Sequence, residues 1–184
     1  VDALDEAIQV IQAVWDTSGR GGVRVDGDHY RVVGAKRGPA PAHGIAVWVG
    51  AYKPRMLRLT GRVADGLILQ LGDPDLIRWM AGMMREAAVA AGRDASSILV
   101  QAAAPAHVAP RELGRERVRW FPALVGNHVV DLVNKYPREE LPESLTGYVR
   151  ERAGYDYLHH AEVGSDNAGF VTDEVVDRFC VLGE

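Results

Sequence analysis

The most constraining feature of the sequence is a regular alternation of apolar strands and amphipathic helices between residues 45 and 102. Continuous apolar runs of strand length lie at residues 45–49, 67–71 and 98–102. Pro54 and Pro74 each suit the first position of a helix, and the residues after each proline have helical spacing. Apolar runs without alternation are typical of strands that are covered on both faces, as in a parallel sheet. The segment therefore predicts the order strand, helix, strand, helix, strand.

Short connections in this order require parallel strands that are joined by right-handed crossovers, so the predicted fold class is α/β. Three strands alone leave two edges, because each outer strand presents unpaired backbone groups to water. We expect the strands at residues 45–49 and 98–102 to be these open edges. The rest of the sheet must then come from elsewhere.

The flanking segments are predicted to be short and mainly helical. A stripe of apolar residues at helical spacing predicts a first helix from about residue 2 to a stop at Gly19. Alternating residues around Asp26-Gly27-Asp28 predict a two-stranded hairpin over residues 21–33. The elements predicted after Pro110 are helices at residues 112–120, 123–136 and 144–153, a polar loop at residues 155–167, and a short helix that is capped by Thr172 and leads into residues 179–183.

The composition is that of a globular protein, with 47% apolar and 25% charged residues in 184, which argues against disorder and predicts one domain. The net charge of -4 offers no basic excess for a phosphate backbone, so we expect no nucleic-acid partner. No apolar stretch reaches the roughly 18 residues of a membrane span, so we expect no membrane association. A single cysteine cannot form an intrachain disulfide, which fits a cytoplasmic location. The N-terminus has neither a signal-like pattern nor a methionine, and we expect the chain to be cut from something longer.

The turn Gly50-Ala51-Tyr52-Lys53-Pro54 lies at the carboxyl end of a predicted strand, where α/β folds place ligands. Unpaired N–H groups and the dipole of the following helix favour an anion at this point. Lys53 and Arg55 add full positive charges, and Gly50 permits a close approach to the backbone. The turn is therefore predicted to bind an anion such as phosphate. The alternative is a turn that only joins strand to helix, because neither a P-loop nor a dinucleotide fingerprint is present.

Two parts of the chain resemble a known family. In residues 47–66 a strand ends in a Gly-Ala turn with a proline, and the following helix closes in the pattern Gly-x-x-Ala-Asp-Gly. This segment resembles luciferase-like flavin and deazaflavin oxidoreductases. Residues 117–128, 155–157 and 175–183 are similar to a subgroup that depends on coenzyme F-420, with methylenetetrahydromethanopterin reductases as well-known relatives. Together these stretches extend the resemblance over nearly the whole chain.

The resemblance implies a (β/α)8 TIM barrel that binds coenzyme F-420, a deazaflavin, or FMN at the carboxyl ends of its strands. Carried over residue by residue, Gly50, Ala51, Tyr52, Lys53 and Pro54 hold the phosphate end of the cofactor, although many relatives have glycine at the position of Lys53. Residues 1–184 would form a single partial barrel domain with about strands five to seven, their helices and a C-terminal helical insertion. The N-terminal strands and the last strand would be lacking. The catalytic residues are expected in those strands, so none is assigned.

The predicted function is hydride transfer between coenzyme F-420 and a small organic substrate, by an oxidoreductase that forms a homo-oligomer. An FMN-dependent monooxygenase of the same superfamily is the first alternative. A truncated, catalytically inactive remnant that acts only by association with other chains is the second. Uptake of oxygen distinguishes the first two, because deazaflavins react poorly with oxygen.

Other polar residues are predicted to have structural roles. His159, His160 and Glu162 lack the spacing of metal ligands, so no metal is expected. His128 and Asp131 share a helix face at a spacing of three, which is more typical of a surface hydrogen bond than of a catalytic pair. Cys180, between apolar neighbours, is predicted to be a buried and inert thiol.

Overall fold

The computed structural model describes residues 1–16, 22–36, 38–39, 42–143, 147, 149, 152 and 154–183. The helices in these ranges include α1 (Asp2–Trp15), α2 (Pro54–Val63), α3 (Pro74–Ala90), α4 (Arg111–Val118), α5 (Trp120–Lys135) and α6 (Asp173–Phe179). The strands are β1 (Val23–Asp26), β2 (Arg31–Ala35), β3 (Trp48–Gly50), β4 (Gly66–Leu69), β5 (Leu99–Ala102), β6 (Ala106–Val108) and β7 (Val181–Gly183). Single 3-10 turns lie at Ala95–Ser97, Arg138–Glu140, Tyr157–His159 and Asp166–Ala168.

A parallel three-stranded sheet in the order β3-β4-β5 forms the centre of the fold. Its register pairs Val49 with Leu67 and Leu67 with Val100. The predicted order of strands and helices is confirmed, and β3 and β5 are the edges of the sheet, as expected. Strand β3 starts at Trp48 rather than at residue 45, because only its last residues pair with β4.

One hydrophobic core joins this sheet to the two helices that connect its strands. Val49 and Leu67 belong to the same buried cluster as Leu57 of α2 and Met84 of α3. Helices α2 and α3 cross closely at Gly61, where an added Cβ would lie 2.1 Å from the backbone oxygen of Met84. The crossing therefore requires glycine at this position.

The opposite face of the sheet is apolar and exposed. Trp48, Ile68 and Leu99 are exposed to 36%, 37% and 59%. The Trp48 ring covers Gly66, since a Cβ at that glycine would lie 2.3 Å from the indole ring. The prediction that these strands are covered on both faces therefore holds for one face only in the described residues.

A separate parallel pair joins β6 to β7, with Ala106 opposite Val181. The sequence predicted no strand at residues 181–183, because it indicated a helix leading into residues 179–183. Helix α6 instead ends at Phe179, and Cys180 is extended. Pairing with β6, more than 70 residues away along the chain, forms β7 and cannot be seen in the local pattern. β5 and β6 are separate strands, with residues 103–105 between them.

The flanking elements match the predictions in kind but differ at their ends. Helix α1 ends at Trp15, and the predicted stop at Gly19 lies outside the described residues. The β1-β2 hairpin is confirmed as an antiparallel pair. Helix α5 begins at Trp120 rather than at residue 123, and Pro122 is accommodated in its first turn, where the missing N–H has no helical acceptor. Most of the predicted helix at residues 144–153 also lies outside the described residues.

The predicted α/β class is confirmed, since the protein is a mixed α/β fold with parallel sheets. The strands of the described residues form three separate sheets, and no closed barrel is present among them. Within the same residues, no helix combines the length and the apolar character that crossing a bilayer requires.

Candidate functional site

The candidate site is the turn from Gly50 to Pro54, which joins β3 to α2 at the carboxyl end of the parallel sheet. Gly50 is exposed, and an added Cβ there would meet no atom within 4 Å. The backbone at this residue is therefore open to a ligand. Ala51 and Pro54 are buried and anchor the turn, whereas Tyr52 is half-buried and Lys53 is exposed.

The N-terminus of α2 has no side-chain cap and no acidic residue in its first turn. The amides of Met56 and Leu57 both donate to the carbonyl oxygen of Lys53 at 2.9 Å. Pro54 has no N–H, and the Arg55 amide has no backbone acceptor among the described residues. An uncapped helix N-terminus with a free amide and basic neighbours suits an anion.

Tyr52 is held between β4 and α5. Its ring stacks on His128 with centroids 4.8 Å apart and planes inclined by 6°. The amide of Gln70, which follows β4, donates to the Tyr52 hydroxyl at 3.0 Å. Burial raises the pKa of Tyr52, although the hydrogen bond from Gln70 opposes the rise. Burial lowers the pKa of His128, and His160 nearby lowers it further, so the stack joins two rings that are neutral near pH 7.

Lys53 also contacts helix α5. Its Nζ lies 2.5 Å from Oδ2 of Asp131, and Lys135 Nζ lies 3.3 Å from the same oxygen. The hydrogen bond from Lys53, followed by that from Lys135, lowers the pKa of Asp131. Lys53 therefore has a carboxylate partner and does not simply point to solvent.

The structure thus brings together residues that the sequence analysis treated separately. His128 and Asp131 do share a helix face, as predicted, but each contacts a different residue of the turn. The spacing of three was the only local signal, and it could not identify partners that lie 76 or more positions away. Whether the five predicted residues, Gly50 to Pro54, bind a cofactor stays a prediction.

Arg152, Tyr155 and His160 extend this polar region beside α5. The Arg152 guanidinium hydrogen-bonds Asn127 of α5 and lies 5.5 Å from the centroid of the Tyr155 ring. The Tyr155 hydroxyl is 3.0 Å from Nδ1 of His160. Asn127 Nδ2 and Arg152 Nε are buried and have no hydrogen-bond acceptor among the described residues. The β3–α2 turn and Arg152 therefore both contact α5.

His159 lies in a separate, acidic part of the same loop. Its Nδ1 is 2.7 Å from Glu162 and its Nε2 is 3.9 Å from Asp156, and the hydrogen bond with Glu162 is the main cause of its raised pKa. A cavity of about 820 Å³ within residues 154–170 is lined by these side chains and by none from the turn. Across the described ranges, no three His, Cys, Asp or Glu side chains form a metal-binding group.

Cys180 is buried next to the carbonyl oxygen of Val118. Burial, with a smaller effect from Asp177, raises the pKa of its thiol to about 12. The thiol is therefore protonated at neutral pH, which agrees with the predicted inert cysteine.

The protein is an α/β fold with an open turn at the carboxyl end of a parallel sheet, which is where such folds commonly place ligands. The luciferase-like monooxygenase family model matches residues 1–184. The chain therefore belongs to the luciferase-like monooxygenase family, as the sequence resemblance predicted.

The chain is similar to two curated relatives. It is 28% identical over 184 residues to the 5,10-methylenetetrahydromethanopterin reductase of Archaeoglobus fulgidus. This match covers 98% of the chain and 52% of the reductase. It is 38% identical over 69 residues to the F-420-dependent glucose-6-phosphate dehydrogenase of Nocardia farcinica, which covers 38% of this chain and 20% of that enzyme. The chain spans about half the length of the curated reductase that it matches.

Solved structures share the fold. The coenzyme F-420-dependent tetrahydromethanopterin reductase of Methanopyrus kandleri gives a TM-score of 0.71 at 21% identity, over 96% of this chain and 49% of that one. An F-420-dependent secondary alcohol dehydrogenase gives 0.68 at 18% identity, over 100% of this chain and 48% of that one. A riboflavin lyase with modified FMN gives 0.52 at 19% identity, over 99% of this chain and 52% of that one. At these identities the likeness concerns the fold alone.

Proposed function

We propose that this chain is part of an oxidoreductase that transfers hydride between coenzyme F-420 and a small organic substrate. The observation that carries the proposal is the β3–α2 turn, where the open backbone of Gly50 lies beside an uncapped helix N-terminus and two basic side chains. The relatives named as F-420-dependent support a deazaflavin as the cofactor.

The residues of the turn fit the phosphate end of such a cofactor. Gly50 leaves room for a phosphate to approach the backbone closely. Lys53 offers a positively charged donor, and the Arg55 amide offers a neutral one. Buried Ala51 and Pro54, with Tyr52 held by His128, fix the shape of the turn. When bound, the deazaflavin ring would donate or accept the hydride. The contribution of this chain is then to bind the cofactor and fix its position.

We further propose that the β3-β4-β5 sheet is part of a (β/α)8 barrel that assembles as a homo-oligomer. The exposed apolar face with Trp48, Ile68 and Leu99 has the character of a barrel interior, which in TIM barrels is filled by bulky apolar side chains. The likeness in fold to the Methanopyrus kandleri reductase supports the same assignment.

An FMN-dependent monooxygenase is the second candidate. The turn suits any phosphorylated flavin-like cofactor, because an anion site at a helix N-terminus does not distinguish the attached ring system. The fold shared with the FMN-containing riboflavin lyase favours this candidate. Oxygen uptake with reduced FMN would support this candidate. Turnover of F-420 without oxygen uptake would exclude it.

The test is a fluorescence titration with coenzyme F-420 and with FMN. Each cofactor is titrated against this chain and against the full-length protein that its gene encodes. We expect F-420 to bind more tightly than FMN. Lys53→Glu should weaken F-420 binding by about two- to tenfold at low salt, because the new charge repels the phosphate. Arg58→Glu makes the same charge change on the exposed side of α2 and is the control. Failure of both cofactors to bind the folded protein would overturn the proposal.

A further inference from the structure

We propose that Asp131 competes with the bound anion for Lys53, so that ligand binding at the β3–α2 turn is coupled to the contacts of helix α5. The inference rests on the proposed anion-binding function of the turn. It assigns a role in ligand affinity to Asp131, which lies 78 positions from Lys53. The sequence alone predicted only a surface hydrogen bond for this residue.

The contact between Lys53 and Asp131 is close but accessible. The two charged atoms are 2.5 Å apart, and the side chains are 48% and 41% exposed. A ligand anion that arrives at the turn can therefore reach the ammonium group. It meets a lysine whose charge is already neutralised by one carboxylate, so it must share Lys53 with Asp131 or displace it.

Asp131 is not left alone when Lys53 moves to a ligand. Lys135, one helical turn further along α5, already lies 3.3 Å from the same carboxylate oxygen. The exchange replaces one exposed ion pair by another and leaves no buried charge unpaired, so its energetic cost is small.

The second contact of α5 with the turn does not depend on charge. The stack of His128 on Tyr52 joins two uncharged rings and lies three positions from Asp131. It holds α5 against the turn while Lys53 changes partner. Coupling of this kind is reciprocal, so removing the Asp131 carboxylate must strengthen ligand binding by the amount that the ligand weakens the Lys53–Asp131 pair.

The experiment is a double-mutant cycle on the full chain, with coenzyme F-420 followed by fluorescence at low salt. Asp131→Asn should tighten binding by about two- to fivefold, which is the range for an exposed ion pair. In the Lys53→Met background the same substitution should change nothing. Asp131→Glu keeps the charge and should restore affinity to near that of the unaltered protein.

Two further measurements separate this effect from general ones. Glu86→Gln removes one negative charge from the exposed side of α3 and should not alter binding. The backbone amide NMR shifts of residues 50–53 and of Arg55 should respond to inorganic phosphate at lower concentration in Asp131→Asn than in the unaltered chain.

Weaker binding by Asp131→Asn would overturn the inference and make Asp131 a residue that positions Lys53 for the ligand. An equal effect with and without Lys53 would also overturn it, because Asp131 would then not act through Lys53. If the unaltered protein binds F-420 and Asp131→Asn binds it equally well, only the inference fails. If neither F-420 nor phosphate binds the unaltered protein, the proposed function and the inference fail together.

Discussion

At the scale of single residues, Asp73 performs two structural tasks with its two carboxylate oxygens. Its Oδ1 accepts hydrogen bonds from the amides of Asp75 and Leu76 at 2.9 Å, which caps the N-terminus of α3. Its Oδ2 accepts a hydrogen bond from Nε of Arg178 at 2.7 Å. Since Asp73 is completely buried, one side chain both starts α3 and attaches α6 to it. An aspartate directly before Pro74 is typical of an N-cap, whereas the arginine partner lies 105 positions away and leaves no local signal.

Asp73→Ala should therefore destabilise the protein by about 3 kcal/mol, because the cap is lost and Arg178 loses a buried partner. Asp73→Asn should lose less, since its side-chain oxygen can still accept from the α3 amides. Urea unfolding followed by circular dichroism measures both. Asp94→Ala, which removes the cap of an exposed 3-10 turn, is the control and should cost about 1 kcal/mol. Equal losses for Asp73→Ala and Asp94→Ala would contradict this account.

At the scale of elements, packing and ion pairs attach the helices to one another. The α2–α3 crossing depends on a glycine, and the α4–α6 contact depends on arginines. Arg115 donates to Asp177 through Nε and Nη2 at 3.0 and 2.8 Å, and Arg111 reaches the same carboxylate at 2.7 Å. Arg119 pairs with Asp173 one turn away. Two arginines thus share the Asp177 carboxylate, which fixes the position of α6 relative to α4.

The close crossing of α2 and α3 gives a test by matched glycine substitutions. Gly61→Ala should destabilise the protein by about 1 to 3 kcal/mol, because the new methyl group would collide with the α3 backbone. Gly82→Ala on α3 has open space around it and should stabilise the helix by about 0.5 to 1 kcal/mol. Thermal unfolding of the two variants measures the difference. A stabilising effect of Gly61→Ala would show that the helices do not approach as closely as described.

The α4–α6 contact predicts a specific dependence of stability on acid. Hydrogen bonds from Arg115 lower the pKa of Asp177 far below its ordinary value of 3.8. This carboxylate therefore contributes stability at every pH above the unfolded value of 3.8, and the contribution is lost as pH falls from there through the lowered folded pKa. Asp177→Asn should be less stable at pH 6 and should lose less further stability between pH 4 and 2.

Urea midpoints over that pH range give the measurement. Asp28→Asn removes an exposed carboxylate from the hairpin loop and should keep the slope of the unaltered protein. Parallel acid profiles for Asp177→Asn and the unaltered protein would exclude Asp177 as the group responsible.

Local patterns predicted most of these elements, because apolar spacing, prolines and caps act within a few residues. Pro54, Pro74 and Thr172 mark the helix starts where they were predicted. Strand β7 and the contacts of His128 and Asp131 were missed, since each depends on a partner far along the chain. The turn at Gly50 was located from its position between strand and helix, but its attachment to α5 was not predictable from spacing.

At the scale of the whole molecule, the β3-β4-β5 sheet presents an exposed apolar face. Trp48, Ile68 and Leu99 lie on it beside two edge strands with unpaired backbone groups. Apolar surface next to open edges favours association with other chains. The chain on its own should therefore be poorly soluble or oligomeric.

Leu99→Lys should raise the monomer fraction of the chain, because a charge on the edge strand opposes pairing. Val89→Lys introduces the same charge on α3, where the side chain is 66% exposed and lies away from the sheet face, and is the control. Size-exclusion chromatography with light scattering distinguishes the two. A monodisperse monomer of the unaltered chain with cooperative melting would contradict the expectation.

The most direct test of the central claim compares coenzyme F-420 with the same deazaflavin lacking its phosphate end, each titrated by fluorescence against the unaltered protein and Lys53→Glu. If the β3–α2 turn holds the phosphate, the phosphate-free compound should bind at least about tenfold more weakly, and Lys53→Glu should weaken the binding of F-420 alone. Equal affinity for the two compounds, or equal effects of Lys53→Glu on both, would show that the turn does not bind the phosphate.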